Sequence, residues 1–336
     1  MNITHVIRGQ DHINNTHKQV LLYQALGKPV PKFAHLPLIL ASNKSKLSKR
    51  KHGEIVSVTT YRDRGIIPDV FVNFLALLGW SPAGIEGMEG QELFMEGREL
   101  FIEGQNPLIL GPDALISFFS LESIHKSNAV FNLNEGDARN WTMNAEYIKI
   151  WGKWHPFFPD LPDNPKYQEW RALQVNSYRK KFFPLVKAEL ANTGLWRDEY
   201  EGDKEEWFCK IISLLSERAR TLKDFSVHGR PYFVDGLDFE FDEAAVKKNL
   251  QKDPVLKTLL PELADTFAAL IEFTPDTIAP ALRGFAEAKD VKINLLTNAA
   301  RTALTGQAVG PSLFDLIAAV GQKRAVERLK HAANLI

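Results

Sequence analysis

The sequence holds a single cysteine, Cys209, among its 336 residues. That scarcity excludes disulfides and cysteine-based zinc sites within the chain and agrees with a reducing compartment. Cys209 stands between Phe208 and Lys210 in a helical pattern and reads as a small packing residue. Long apolar runs are missing as well. None approaches the roughly 18 residues of a membrane span, and the first residues lack the cationic start and apolar core of a secretion signal. A cytoplasmic protein without membrane contact is therefore expected. Charge of one sign is also absent: 41 basic and 41 acidic residues cancel, so no global field advertises a nucleic-acid partner. The sequence shows no glycine-rich phosphate loop, no nucleophile–base pair and no metal-ligand cluster, and no protein-bound metal is expected.

What is present is a chain 45% apolar, long enough to bury ample core in two or three domains. Its charges are separated. Basic residues gather at Lys44 to Lys51, Arg179 to Lys181, Lys247-Lys248 and Lys323 to Lys330, and acidic ones at Glu86 to Glu103 and Asp198 to Glu206. Each cluster taken singly reads as a solvated helix face; together they can present one basic face to a phosphate backbone.

The densest basic cluster is Lys46-Leu47-Ser48-Lys49-Arg50, directly after the apolar run Phe33 to Leu40. A loop of this kind can fold over a triphosphate, its ammonium groups neutralising charge as a phosphate bond breaks. Upstream stands Ile3-Thr4-His5-Val6-Ile7-Arg8-Gly9-Gln10-Asp11-His12-Ile13-Asn14-Asn15-Thr16, and downstream Ala76-Leu77-Leu78-Gly79-Trp80-Ser81-Pro82. Farther on come Glu217-Arg218-Ala219-Arg220-Thr221-Leu222, Ala300 to Gly306 and Gly310-Pro311-Ser312-Leu313-Phe314. In this order and spacing the segments resemble bacterial glutamyl-tRNA synthetase, a class I aminoacyl-tRNA synthetase in which KLSKR is a form of the KMSKS signature loop. The resemblance touches nearly the whole chain and is thin between about Ile85 and Asp113. One departure stands out. The family's second signature, a HIGH-like segment that binds ATP, has no counterpart in this sequence.

The resemblance implies a role for each residue of the first segments. Lys49 is the ATP-binding lysine of the signature loop, and Lys46 opens the motif. Both stabilise charge on the pyrophosphate as it leaves. Ser48 stiffens the loop through backbone hydrogen bonds, and Arg50 adds a phosphate or structural contact. Arg8, at the carboxyl end of a strand where parallel sheets face their ligands, grips the glutamate carboxylate with paired hydrogen bonds; the alternative is a structural ion pair with Asp11. Asp11 and His12 match positions lining the nucleotide pocket, for ribose or adenine contact. His35, against an apolar run, reads as structural. Arg301 resembles an arginine beside the anticodon, reading a base edge or holding a phosphate.

The fold class expected is mainly α with a small α/β start: the end of a Rossmann-like class I catalytic domain, a stem-contact fold, then an all-helical anticodon-binding region. Residues 1–40 form the first part. Residues 41–150 carry the KMSKS-type loop and the stem-contact domain, with an acidic insertion near 85–105 in which Glu92 to Gly97 recurs as Glu99 to Gly104. Residues 151–240 and 241–336 are the two parts of the anticodon-binding region. Apolar spacing predicts a strand over Thr4 to Arg8, a helix over Asn15 to Leu26 and a buried strand or extended segment over Phe33 to Leu40. It further predicts helices opened by Pro68, Pro261 and Pro275, and one running from Lys204 to Leu222.

These readings imply a glutamate–tRNA ligase, represented by the C-terminal part of the enzyme and inactive alone. The partners implied are ATP with Mg2+ as substrate, L-glutamate and tRNA-Glu, and a monomer is expected. The alternative is a non-catalytic tRNA-binding module derived from such an enzyme.

Overall fold

A computed structural model describes residues 2–41, 43–82, 100–101, 109–110, 112–131, 138–152 and 181–336. The chain forms two compact units, Met1–Asn144 and Ala145–Ile336. The first begins with strand β1 (His5–Gly9), helix α1 (Ile13–Ala25) and strand β2 (Lys32–Leu36). β1 and β2 pair in parallel, with Arg8 opposite His35. Parallel neighbours need a crossover, and α1 supplies it. None of these three elements buries a residue, and Leu21, Leu22 and Leu26 remain exposed.

The stretch predicted as a buried strand or extended segment from Phe33 to Leu40 is extended, but broken into two short, half-exposed strands, β2 and β3 (Ile39–Ala41). Pro37 lacks the N–H that a continuing ladder requires. Leu38 N instead donates to Asn128 Oδ1 at 2.9 Å. A one-turn helix α2 (Lys49–His52) follows, then α3 (Val58–Asp63) and α4 (Pro68–Gly79). Pro68 opens α4 and Gly79 is its last residue, as the sequence predicts. Strands β4 (Leu100–Phe101) and β5 (Ile109–Leu110) pair antiparallel. The rest of the predicted insertion lies outside the described residues. Helix α5 (Pro112–Phe118), strand β6 (Ala129–Phe131), parallel to β3, and helix α6 (Ala138–Trp151) complete this part of the chain.

Two buried contacts tie the first unit together. Asn144 is fully buried, and its Oδ1 accepts from Ile67 N at 2.9 Å, so the amide is matched inside the core. Trp80 is buried beside Phe119.

From residue 181 on, the described residues contain no strand. The helices are α7 (Phe183–Asn192), α8 (Glu205–Ser216), α9 (Lys223–Val227), α10 (Arg230–Phe233), α11 (Glu243–Asn249) and α12 (Leu256–Ala268). They continue as α13 (Pro275–Ala288), α14 (Ile293–Thr305), α15 (Leu313–Val320) and α16 (Gln322–Ala332). Cys209 is buried in α8. α14 turns a row of small side chains inward, Ala299, Ala300 and Ala303, which lets α11, α16 and α15 approach. α15 and α16 are divided by Gly321, whose φ of 86° suits glycine.

Two predicted helices are shifted. The helix expected to start at Pro261 begins at Leu256 and carries Pro261 in its interior. The start signal is Asp253, whose Oδ1 accepts from Val255 N at 3.1 Å. The helix expected to reach Leu222 stops at Ser216. Asp224 Oδ2 captures the N–H groups of Arg220 (2.6 Å) and Thr221 (2.9 Å), diverting them from a continuing helix. Arg328 is fully buried and donates to the carbonyls of Gly236, Pro231, Leu304 and Val234 at 2.7–3.1 Å.

Candidate functional site

In the first unit the carboxyl end of β1 and the basic loop meet. After Ala41 the chain turns through Lys44, which takes a φ of 60°, and returns antiparallel so that Lys46 bridges Leu40. Leu47 N donates to Ile39 O at 3.1 Å. This turn carries the Lys46 ammonium to Asp11, with Nζ 2.5 Å from Oδ2. The hydrogen bond from Lys46 holds the Asp11 carboxyl below its ordinary pKa. The KMSKS-type loop thus includes a bridged turn and the single turn of α2.

Ser48 precedes α2. Its carbonyl accepts from Lys51 N (3.2 Å) and His52 N (3.0 Å), and its own N–H donates to His52 Nδ1 (3.2 Å). The ordering of the motif runs through the Ser48 backbone, while its hydroxyl does not cap the turn. Lys49 and Arg50 stand exposed on that turn and form no ion pair among the described residues.

Arg8 is held from three sides. Its Nη2 donates to Thr16 Oγ1 at 2.7 Å and to His12 O at 3.4 Å, and the guanidinium lies 5.4 Å from the Phe33 ring centroid. Thr16 Oγ1 is in turn 2.9 Å from His35 Nε2. The ion pair between Arg8 and Asp11 does not form, because Asp11 is drawn to Lys46. Arg8 Nε is buried without a hydrogen-bond partner. His12 is exposed, its Nε2 3.9 Å from Asp11 Oδ2. Sequence reasoning singled out Arg8 and missed the residues that orient it. Thr16 lay in the same quoted segment, eight residues on, a spacing whose meaning appears only once α1 folds back beside β1. Asn128 is another such residue: its Oδ1 also accepts from Gln10 Nε2 at 2.7 Å, fixing the segment after β1.

The second unit brings together two other segments. The turn Glu217–Leu222 and the stretch after α14 border one cleft of about 180 Å³, whose lining includes Arg218, Asp224, His228, Tyr232, Gln307 and Pro311. Arg301, on α14, sits at its edge. Its Nη1 donates to Pro311 O at 2.6 Å, and the side chain is half-buried. Burial lowers the Arg301 pKa, with the Arg218 cation adding to the fall and Tyr232 opposing it. Gly306, with φ of 72°, ends α14, and a side chain there would strike the Glu240 carbonyl. Among the described residues no helix is long and apolar enough to cross a membrane, and no cluster of three acidic, histidine or cysteine side chains is placed to hold a metal.

The chain is similar to known proteins. Residues 1–106 match the family described as tRNA synthetases class I (E and Q), catalytic domain, and residues 180–333 match the anticodon binding domain family. Glutamate–tRNA ligase of Desulfotalea psychrophila is 38% identical over 99% of this chain and 59% of its own length. Glutamate–tRNA ligase 2 of Koribacter versatilis is 40% identical over 100% of the chain and 58% of its own length. A crystal structure of a glutamate tRNA ligase from Elizabethkingia meningosepticum, in complex with its amino acid, superposes with a TM-score of 0.68 at 28% identity. It covers 99% of this chain and 57% of the solved one. The chain therefore spans a little under three fifths of the length of these relatives. Aligned over 99–100% of its length with these ligases and matched by both family models, the chain belongs to the glutamate–tRNA ligase family of class I aminoacyl-tRNA synthetases.

Proposed function

We propose that this chain supplies the part of a glutamate–tRNA ligase that holds the triphosphate, the glutamate carboxylate and the tRNA. The observation that carries this reading is the 2.5 Å contact between Lys46 and Asp11, which joins the signature loop and the segment after β1 in one site. Lys46 and Lys49, with Arg50, face the phosphates of ATP, and Ser48 keeps their turn ordered. Asp11 and His12 lie on the side of the ribose or base. Arg8, whose Nε has no partner, takes the carboxylate of L-glutamate. Magnesium accompanies the ATP through its phosphate oxygens and needs no cage of protein ligands. In the second unit Arg301 and the cleft beside it contact tRNA-Glu near the anticodon.

On this reading residues 1–40 close the Rossmann-like domain, 41–150 carry the loop and stem-contact fold, and 151–240 and 241–336 divide the anticodon-binding region. The protein works as a cytoplasmic monomer. Because the sequence has no HIGH-like segment, the chain binds tRNA but does not by itself activate glutamate; half of the phosphate-stabilising apparatus is not in it, and such groups supply about 3–4 kcal/mol each. A non-catalytic tRNA-binding module derived from such an enzyme is the second reading. An in-frame HIGH-like segment encoded just upstream of Met1 decides for the enzyme.

Two measurements test the proposal. Purified chain free of host synthetase should show no glutamate-dependent ATP–pyrophosphate exchange, and robust exchange would refute its inactivity. Filter binding should show tRNA-Glu preferred over an unrelated tRNA. No preference would leave the helical unit without its proposed role.

A further inference from the structure

A second and larger cleft in the helical unit, of about 480 Å³, has no part in the roles above. Arg197, Tyr200, Lys204 and Trp207 line it from one side, and Lys323 and Arg324, in the first turn of α16, from another. Two carboxylates line it too, and both are engaged. Asp235 accepts from Arg197 at 3.1 Å and Glu199 from Lys204 at 2.8 Å. With four cations against two anions, the lining keeps an excess of positive charge.

The start of α16 makes that excess costly. The N-terminus of a helix already presents positive potential and unpaired N–H groups, and acidic or capping side chains normally answer it. Here the first turn is Gln322-Lys323-Arg324, no side chain caps it and no acidic residue stands in it. Lys323 is exposed and forms no ion pair among the described residues. Arg324 is fixed by the carbonyls of Val320, Tyr232 and Val234 at 2.6–3.2 Å, so its charge cannot swing away.

An independent feature points into the same space. Tyr200 is only 2% exposed, yet its hydroxyl makes no hydrogen bond among the described residues. Tyr200 lines the cleft together with Arg197, Glu199, Arg324 and Asp235. Burial raises the phenol above its ordinary pKa and keeps it a donor at neutral pH.

We propose that this cleft binds a phosphate group, with Lys323, the free N–H groups of α16 and the Tyr200 hydroxyl as its donors. The phosphate is either that of an RNA backbone or that of a small free phosphate. The site is separate from the Arg301 cleft and does not depend on the tRNA reading.

The test compares the full chain with its Lys323→Glu and Tyr200→Phe variants. Lys323→Glu gives the helix the acidic first turn it lacks, and Tyr200→Phe keeps the ring, so both should fold. Thermal unfolding is followed in inorganic phosphate and in chloride at equal ionic strength. Phosphate at ten times its dissociation constant should raise the midpoint by roughly 3–6 °C beyond chloride. Each variant should lose most of that rise. Filter binding then identifies the source. If the phosphate belongs to RNA, Lys323→Glu weakens tRNA binding about tenfold and makes the log–log salt slope shallower by about 1. If it is a small molecule, tRNA binding is unchanged while the thermal effect is lost. A phosphate effect no larger than that of chloride, or one that survives in both variants, overturns the proposal.

Discussion

Arg301 Nη1 donates to the carbonyl oxygen of Pro311 at 2.6 Å, which ties α14 to the segment leading into α15. One donor of the guanidinium is thus spent on orienting the rest at the edge of the cleft bordered by Arg218 and Gln307. A pinned, half-buried guanidinium suits bidentate reading of a base edge better than loose attraction to a phosphate. Arg301→Ala should therefore weaken tRNA-Glu binding by about 1–3 kcal/mol and change the preference among anticodon variants. Filter binding at several salt concentrations checks this. A uniform loss for every tRNA, with a shallower salt slope, would show that Arg301 only holds a phosphate.

The contact between Lys46 and Asp11 has a pH signature. A carboxyl whose folded pKa is depressed stabilises the fold above its unfolded pKa and loses that contribution as pH falls through the folded value. Asp11 is such a group, its pKa lowered first by the hydrogen bond from Lys46. In a carbon-detected NMR titration Asp11 should titrate below the ordinary aspartate range. In Lys46→Ala it should return to that range, and the segment after β1 should lose its tie to the basic turn. An Asp11 titration unmoved by Lys46→Ala would mean that the two motifs are not joined in solution.

Arg328 gives the helical unit its most concentrated polar contact. Its guanidinium answers four carbonyls, those of Gly236, Pro231, Val234 and Leu304, from a fully buried position. Burial pushes its pKa down to about 10, which leaves it protonated at neutral pH. Arg328→Met keeps the length of the side chain and leaves those carbonyls unanswered, at a cost of roughly 3–5 kcal/mol. For a unit of this size the unfolding midpoint should fall by roughly 6–20 °C by circular dichroism. An unchanged midpoint would show that the carbonyls find other partners.

How much of this was legible in the sequence depended on the range of the interaction. Pro68 and Gly79 bound α4, and Pro275 opens α13, because capping and proline effects act within a few residues. Pro261 misled, because its own neighbourhood looked like a start while the decisive Asp253 lay eight residues earlier. The six letters from Glu217 to Leu222 continue an apolar helix pattern, and only the Asp224 carboxylate, folding back on two N–H groups, turns them into a cleft wall. At the candidate site Lys46, Lys49, Arg8 and Asp11 were visible as charged residues in motifs. The meeting of Lys46 with Asp11, 35 residues apart, was not, since it requires the reversal at Lys44. Arg328 was passed over because an arginine in a basic helix carries no sign of burial.

Lys49, exposed like Lys46, differs from it in forming no ion pair among the described residues. A free ammonium on a one-turn helix anchored by the Ser48 backbone is able to follow charge as it develops, rather than being spent on a resting contact. Its contribution should appear in the transition state of adenylate formation and not in the binding of glutamate. In a ligase carrying this segment together with a HIGH-like one, Lys49→Ala should lower the rate of ATP–pyrophosphate exchange by a factor of roughly 100 or more. The KM for glutamate should stay nearly constant if, as proposed, Arg8 and not the basic turn takes that substrate. Lys46→Ala should differ in kind, since it also releases Asp11 and so disturbs ATP binding along with the rate. Steady-state exchange kinetics with glutamate and ATP varied separately distinguish the two variants. An exchange rate unchanged by Lys49→Ala would make the basic turn a surface feature without a role in catalysis.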